Sequence, residues 1–260
     1  MKCILMGLAV LFSAHAYAIN WQDSDELTKL FEQAGVTGTF VLYEVSSNTY
    51  RGHNRDRAET RFTPASTFKI PNSLIGLAVG TVKSVDETFP YDGSPRFLPA
   101  WEKEMGLREA IAVSNVPVYQ ELARRIGLQR MQQNLARIGY GNQQTGASVD
   151  TFWLTAPLKI SAVEQTQFLA KLARDELPFP ASVQHSVQEI TLIDQGKDWQ
   201  LHAKTGWQNA PGEGVGWWVG WIEKDRHIFA FALNLDIHKT ADADLRISLG
   251  KSCLKALGLL

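Results

Sequence analysis

The 260-residue sequence predicts an α+β fold, with strands near both ends of the chain and helices between them. Residues 39–45 form an early run of β-favouring side chains, and the last quarter of the chain holds three more such runs. The residues between them carry apolar side chains at helical spacing. Because strands and helices are segregated rather than alternating, we expect an antiparallel sheet flanked by helices. A hydrophobic content of 45% and a charged content of 20% are typical of a globular domain.

The N-terminal segment, residues 1–18, differs from the rest and predicts a secretory signal peptide. Lys2 is its only charge, residues 4–12 are apolar, and Ala16-Tyr17-Ala18 gives a small-x-small cleavage pattern. The stretch is too short for a membrane span; a buried N-terminal helix is the alternative. We therefore expect a secreted, periplasmic protein in which residues 19–260 form a single catalytic domain without a membrane anchor.

The helices follow from capping residues and apolar spacing. Ser24 precedes a helix that stops near Gly35, and Ser161 with Glu164 forms a capping-box pair at the start of another. The other predicted helices cover Ser66–Val79, which ends at Gly80, two segments within Val118–Arg137 that are divided near Gly127, Ser161–Arg174 and Ser182–Ile193.

The last quarter of the chain predicts an antiparallel meander followed by a helix. Its strands are expected over Trp199–Lys204, Gly216–Glu223 and His227–Asp236, joined by turns at 209–214 and 224–226. An amphipathic helix over Asp242–Leu257 closes the chain. We expect a sheet lobe from about residues 19–60 and 195–260, an inserted all-helical lobe from about 61–194, and a site between the two lobes.

Several functions are disfavoured by composition and by missing motifs. The formal charge of −1, with no basic face, gives no sign of a nucleic-acid partner. The histidines beyond the leader lack zinc-ligand spacing, so we expect no metal, and no G-x-S-x-G elbow or phosphate-binding loop is present. Cys3 lies in the leader, and Cys253 sits in an apolar helical pattern that indicates a core position. One remaining cysteine allows no internal disulfide.

Ser66-Thr67-Phe68-Lys69 is the first candidate for chemistry. On a helix, residues three apart share a face, so the serine hydroxyl and the lysine amine would point into one cleft. Serine is a poor nucleophile until a base takes its proton, and lysine can be that base only when its pKa is lowered far below its usual value. Ser248-x-x-Lys251 and Ser252-x-x-Lys255 match the same pattern, but they lie on the exposed-looking face of the last helix.

Three further motifs set Ser66 apart from those two matches. Ser114-Asn115-Val116 follows it, then Tyr140-Gly141-Asn142 at a helix end, then Lys204-Thr205-Gly206 at the end of a predicted strand. An S-x-x-K motif with a later S-x-N or S-x-V and a K-T-G is the signature of penicillin-recognising serine enzymes. The joint match is far more specific than any one motif.

The sequence resembles the class D, oxacillinase-type, serine β-lactamases. The likeness lies in the run Pro64–Asn72, in the S-x-V form at Ser114, in the Y-G-N box, and in Phe152-Trp153-Leu154. Lys204-Thr205-Gly206 with the later Gly216–Trp221 resembles the strand pair of that family. The likeness extends from about Gly38 to the last helix. It implies a β-lactamase/penicillin-binding transpeptidase-like fold, hydrolysis of a small-molecule β-lactam, and antibiotic resistance.

The resemblance also implies how Ser66 is activated. In the family, the motif lysine, here Lys69, carries a carbamate formed with CO2, which turns a cation into an anionic base for acylation and deacylation. No other cofactor is implied. Trp153 would donate its indole N–H to the carbamate, and Val116 and Leu154 would keep the pocket apolar.

The remaining roles implied by the resemblance concern the substrate. Ser114, helped by Lys204, would relay a proton to the departing lactam nitrogen. Backbone N–H groups of Ser66 and Trp207 would bind the oxyanion. The expected substrate-binding set is Val116, Leu154, Thr205, Gly206, Trp207 and Arg246, with Thr205 and Arg246 on the substrate carboxylate. A plain surface arginine is the alternative reading of Arg246.

Other readings stay open from the sequence. Trp153 could be a core aromatic residue, the Y-G-N box a helix end and turn, and the Trp217, Trp218 and Trp221 run sheet packing. A penicillin-binding D,D-peptidase, a β-lactam sensor domain and a secreted esterase are rival functions, separated by the rate of deacylation. Some members of the family carry a cysteine pair near the first hairpin that this chain lacks. Monomer and homodimer are both compatible with the sequence.

Overall fold

The computed structural model describes residues 19–209, 214–239 and 242–260. The expected leader and most of the Gly/Pro-rich turn at 209–214 lie outside these residues. Within them, the strands are β1 Trp21–Asp23, β2 Gly38–Glu44, β3 Thr49–His53, β4 Leu192–Gln195, β5 Trp199–Gln208, β6 Gly214–Lys224 and β7 His227–Ile237. The helices are α1 Asp25–Ala34, α2 Arg55–Glu59, α3 Lys69–Ala78, α4 Leu107–Ala112, α5 Val116–Ile126, α6 Leu128–Ile138, α7 Ala162–Ala173, α8 Ala181–Thr191 and α9 Asp242–Ala256.

The strands form one seven-stranded sheet in the order β1-β3-β2-β7-β6-β5-β4. All neighbours run antiparallel except β1 and β3. The predicted meander is confirmed as β5-β6-β7, and β2 pairs with β7, which joins the two ends of the chain in one sheet. The α+β class is therefore confirmed.

Local signals explain the helix ends that the sequence predicted. Ser24 Oγ accepts a hydrogen bond from the backbone N–H of Leu27, and α1 ends at Gly35, whose φ of +62° suits glycine. The capping box of Ser161 and Glu164 is present at the start of α7. Gly127 separates α5 from α6, as expected.

Three predicted bounds were wrong. Ser66 does not lie in an α-helix: residues Ala65–Phe68 form a 3₁₀ turn, and α3 begins only at Lys69. The helix expected over Ser182–Ile193 ends at Thr191, because the chain turns there into the edge strand β4. The strand expected to end at Lys204 continues to Gln208, so the K-T-G triplet lies inside β5.

The sheet separates two apolar clusters. Helices α3 to α8 pack on one face together with Trp217 and Trp221, and α1 and α9 pack on the other with Trp218. Sheet packing is thus confirmed for these three tryptophans, because alternate residues of a strand face opposite sides. Cys253 is buried in this second cluster, called here the α9 cluster, as its apolar pattern predicted. Helix α7, which belongs to the expected helical lobe, packs directly on β2 and β7.

Candidate active site

Ser66 and Lys69 meet across the 3₁₀ turn that precedes α3. Lys69 Nζ lies 2.9 Å from Ser66 Oγ and donates a hydrogen bond to it. In a 3₁₀ helix, residues three apart are nearly eclipsed, so the turn aligns these two side chains more directly than an α-helix would. Pro71 lies in the first turn of α3, where its missing N–H leaves no hydrogen bond unmade.

The amine of Lys69 is held in an environment that disfavours its charge. The side chain is fully buried, with 0% of its surface exposed. Burial lowers the pKa of Lys69 well below its usual value, and the positive charge of Lys204 lowers it further. No carboxylate forms an ion pair with it among the residues that the structure describes. A buried lysine without a counter-ion is driven toward the neutral amine, the form that can act as a base.

Ser114 and Lys204 form a second serine–lysine pair at the site. Lys204 Nζ donates to Ser114 Oγ at 3.1 Å and to the carbonyl and hydroxyl oxygens of Thr205 at 3.1 and 3.2 Å. Ser114 lies between α4 and α5 with a φ of +57°, a left-handed conformation that is uncommon for residues other than glycine. Burial, followed by the charge of Arg246, lowers the pKa of Lys204 to about 7.

Aromatic rings pack together beside the turn that holds Ser66. The ring of Trp153 stacks on that of Phe68 with centroids 5.2 Å apart, and both residues are buried. The backbone N–H of Ala65 donates to the carbonyl of Trp153 at 2.9 Å, which connects the tryptophan segment to the 3₁₀ turn of Ser66. Val116 begins α5, and Leu154 packs against the same apolar cluster.

Strand β5 lies against the 3₁₀ turn of Ser66, and Gly206 is the strand residue at the contact. A Cβ on this glycine would lie 2.9 Å from the carbonyl oxygen of Pro64 and 3.0 Å from Cγ2 of Thr67, so a side chain would push the strand away. Because neighbouring residues of a strand face opposite sides, Trp207 packs instead against the α9 cluster.

Arg246 approaches the site from α9 rather than lying on the open surface. Its guanidinium donates to the carbonyl of Gly206 and to that of Ala243. A Cβ on Gly216 would lie 2.6 Å from Cδ of Arg246, so the arginine packs directly on β6. Burial lowers its pKa, although the group remains a cation at any ordinary pH. The hydrogen bonds place a fixed positive charge at the end of the K-T-G segment.

The Y-G-N box supports the site without facing it. Tyr140 is buried, and the Asn142 side chain hydrogen-bonds the backbone of Pro157 and Lys159. A Cβ on Gly141 would come within hard contact of the Lys159 carbonyl, so the glycine permits this close approach. The alternative reading of the box as a helix end and turn agrees with these contacts.

Two contacts at the site carried no signal in the sequence. Trp217 Nε1 donates to the carbonyl of Thr63 at 2.9 Å, which connects β6 to the segment just before Ser66. Tyr119 of α5 is fully buried, with its ring centroid 5.2 Å from Lys69 Nζ. Residues 69 and 119 lie in α3 and α5, with α4 between them in the chain, so no spacing rule pairs them.

The other two S-x-x-K matches are surface features. Ser248, Ser252 and Lys255 are exposed on α9, and the hydroxyl of Ser252 donates only to the backbone of Ser248. Among residues 19–209, 214–239 and 242–260, no group of three or more histidine, cysteine or acidic side chains could hold a metal ion. Nor is any helix in those ranges long and apolar enough to cross a membrane.

Comparisons with known proteins agree with this geometry. Residues 37–253 match the family described as the penicillin binding protein transpeptidase domain. β-Lactamase OXA-5 of Pseudomonas aeruginosa is 40% identical over 265 residues, which cover 100% of this chain and 99% of that protein. β-Lactamase OXA-48 of Klebsiella pneumoniae is 38% identical over 95% of this chain and 94% of its own length.

A solved structure extends the likeness to three dimensions. FUS-1 (OXA-85), a class D β-lactamase from Fusobacterium nucleatum subsp. polymorphum, superposes with a TM-score of 0.89 at 43% identity, covering 92% of this chain and 100% of that one. The full-length sequence matches and this match in fold show the family of the chain. The chain belongs to the class D β-lactamases, within the penicillin-binding transpeptidase fold.

Proposed function

We propose that this protein is an exported β-lactamase that opens the lactam amide of β-lactam antibiotics through an acyl-enzyme on Ser66. The observation that carries the proposal is the hydrogen bond of 2.9 Å between the fully buried Lys69 amine and Ser66 Oγ. A base within hydrogen-bond reach of a hydroxyl is what serine needs to become a nucleophile. The leader-like segment before Ile19 supports export to the periplasm.

The residues around Lys69 fit a carbamate formed with CO2. The amine is buried, lacks an acidic partner in the described ranges, and has a pKa lowered by burial, so its neutral form is available to CO2. Trp153, which stacks on Phe68, would supply an indole donor, and Val116 and Leu154 would supply apolar surroundings. When bound, this group supplies an anionic oxygen base in place of a cationic donor.

The acylation step uses the two serine–lysine pairs in turn. The Ser66 hydroxyl loses its proton on the Lys69 side while Oγ forms a bond to the lactam carbonyl carbon. The backbone N–H groups of Ser66 and Trp207 bind the oxyanion that develops. The carbonyl carbon–nitrogen bond then breaks, and Ser114 passes a proton, replaced from Lys204, to the nitrogen.

Substrate binding depends on the K-T-G segment of β5 and on the positive charge of Arg246 beside it. β-Lactams carry a carboxylate beside the ring nitrogen. Thr205 offers a hydroxyl, and Arg246 offers a charge fixed on the Gly206 carbonyl. Deacylation then requires a water that is activated from the Lys69 side and attacks the ester of Ser66, returning the free hydroxyl.

Steady-state hydrolysis of a chromogenic β-lactam by the purified chain, with and without added bicarbonate, tests the proposal. We expect many turnovers that bicarbonate sustains, and intact-mass spectra of quenched reactions that show an acyl adduct. The matched control, Ser66→Ala, should form no adduct. A single stoichiometric burst under both conditions would instead support a sensor or penicillin-binding role, because acylation would occur without release. An adduct on the Ser66→Ala protein would refute the assignment of the nucleophile.

A further inference from the structure

Tyr119 faces the reactive lysine from α5 and belongs to none of the motifs. Its ring centroid lies 5.2 Å from Lys69 Nζ, and both side chains are fully buried. Burial raises the pKa of Tyr119, so the phenol stays neutral and provides no counter-ion. What it presents to the amine is the negative face of its ring.

The ring is fixed to the backbone of the residue that it faces. Ser73 Oγ donates to the carbonyl of Lys69 at 2.9 Å, and the same oxygen lies 2.9 Å from the Tyr119 hydroxyl. Because the single hydrogen of Ser73 goes to the carbonyl, the Tyr119 hydroxyl must be the donor of the second bond. This hydroxyl pair holds the ring and the lysine in one orientation.

The ring and its surroundings act on the lysine in opposite directions. Burial and the charge of Lys204, the other ionisable group that acts on this amine, both favour the neutral form. The face of an aromatic ring within about 6 Å attracts an ammonium, and more strongly when water is excluded. The state of Lys69 is therefore a balance that Tyr119 moves toward the cation.

That balance matters for CO2. In carbamate formation the nitrogen lone pair attacks the carbon of CO2, a nitrogen–carbon bond forms, one carbon–oxygen electron pair moves to oxygen, and the nitrogen gives a proton to solvent water. An ammonium has no lone pair and must first lose a proton. A group that stabilises the ammonium consequently raises the CO2 concentration needed.

We propose that Tyr119 is a positioning residue that stabilises the ammonium of Lys69 on its ring face and so sets how much CO2 the lysine needs to become a carbamate. In the absence of CO2, the ring holds the amine near Ser66. The proposal rests on the proposed function, because it presumes that Lys69 is carbamylated.

The experiment compares rings of equal shape and different charge distribution. Tyr119→Phe keeps the ring and removes only its bond to Ser73, which retains its own bond to the Lys69 carbonyl. A protein with trifluorophenylalanine at this position has almost the same shape but a weakened negative face. Carbamate is measured directly, at fixed pH, by NMR of the carbamate carbon as isotopically labelled bicarbonate is titrated into each purified protein.

We expect the fluorinated protein to reach half-saturation at a bicarbonate concentration about 2- to 30-fold lower than the Tyr119→Phe protein, the range that such contacts supply. Tyr119→Leu, which keeps an apolar side chain without a ring, should shift in the same direction. Equal half-saturation in the phenylalanine and fluorinated proteins, with carbamate present in both, would overturn this inference alone. No carbamate in the unmodified protein at any bicarbonate concentration would overturn the carbamate part of the proposed function, and this inference with it.

Discussion

The two serine–lysine pairs of the site have similar contacts but are built in different ways. Ser66 lies in the 3₁₀ turn and Lys69, three residues later, begins α3, whereas Ser114 and Lys204 come from a helix junction and a strand that are 90 residues apart in the chain. Both lysines are buried, and each lies within 3.1 Å of its serine hydroxyl. Geometry alone would assign them the same role.

Their other hydrogen bonds separate the two roles. Lys204 has three acceptors, which match the three hydrogens of an ammonium, while Lys69 has one acceptor in the described part of the chain and faces the ring of Tyr119. Burial lowers the pKa of both lysines; the charge of Arg246 lowers that of Lys204 further, and the charge of Lys204 lowers that of Lys69 further. Acceptor count, rather than burial, thus distinguishes the lysine that we propose takes a proton from the lysine that we propose gives one.

The sharpest test of this division is Lys69→Met, which preserves volume and removes the amine. We expect the acylation rate constant to fall by about 100- to 10,000-fold, because Ser66 loses the group that takes its proton. Stopped-flow measurement of the first turnover gives this constant. Substrate affinity, measured by competition, should change little, and a comparable loss of affinity would show that Lys69 binds substrate instead.

Lys204→Met should have the next largest effect, about 10- to 150-fold on kcat/KM, the range for a lost hydrogen bond to a charged group. With a pKa of about 7, the Lys204 ammonium is lost as pH rises through that value, so kcat/KM for an anionic β-lactam should fall above it. Lys204→Arg remains charged and should move this alkaline limb upward. An unchanged limb in the arginine protein would assign the titration to another group.

The lowered pKa of Lys204 also predicts a trend in stability. Between about pH 7 and the usual lysine value of 10.5, the unfolded chain binds more protons at this residue than the folded chain. This group therefore makes the free energy of unfolding rise as pH increases through that window. Denaturant titrations at several pH values should show a smaller rise in Lys204→Met than in the unmodified protein.

Trp153→Phe should have a smaller effect that is confined to the Lys69 pair. Phenylalanine keeps the stacking on Phe68 but lacks the indole N–H, so we expect roughly 10-fold more bicarbonate for half-maximal turnover. Trp153→Ala would also remove packing worth about 3–5 kcal/mol, which makes it the less informative change. Bicarbonate dependence identical to that of the unmodified protein would leave Trp153 as a core aromatic residue only.

The smallest effect is expected at a serine that matches the motif but not the environment. Ser252→Ala alters an exposed S-x-x-K serine whose hydroxyl donates only to the backbone of Ser248. We expect turnover to change less than about 2-fold and the free energy of unfolding to stay within about 0.5 kcal/mol. A loss of activity similar to that of Lys69→Met would mean that sequence spacing, rather than burial, determines which serine reacts.

Local signals carried most of what the sequence predicted. Caps and glycines predict α1, α5, α6 and α7, and the β-favouring runs of the last quarter predict the meander, because these features depend on neighbouring residues. The sequence does not predict the strands β1, β3 and β4, since strands of only three to five residues are defined by the partners beside them. The 3₁₀ turn at Ser66 is not distinguished from an α-helix by its sequence, because the two place side chains at a similar spacing.

The same distinction between local signals and contacts of distant segments applies to the site. The order of the motifs identifies the serine, the lysine and the K-T-G triplet, and spacing pairs Ser66 with Lys69, but neither locates the residues that pack around them. The ring of Tyr119, the Trp217 bond to Thr63 and the turning of Trp207 away from Ser66 all depend on which elements lie side by side. Such contacts between distant segments leave no periodic trace in a sequence.

The backbone of Ser114 sets thermodynamic stability against chemistry at a single position. A residue other than glycine held at a φ of +57° destabilises the folded state by about 1–3 kcal/mol, a strain that glycine would not feel. Glycine, however, has no hydroxyl for Lys204. Selection for a more heat-resistant protein and selection for a more active one would therefore favour different residues here, and improvement of one property at Ser114 comes at the expense of the other.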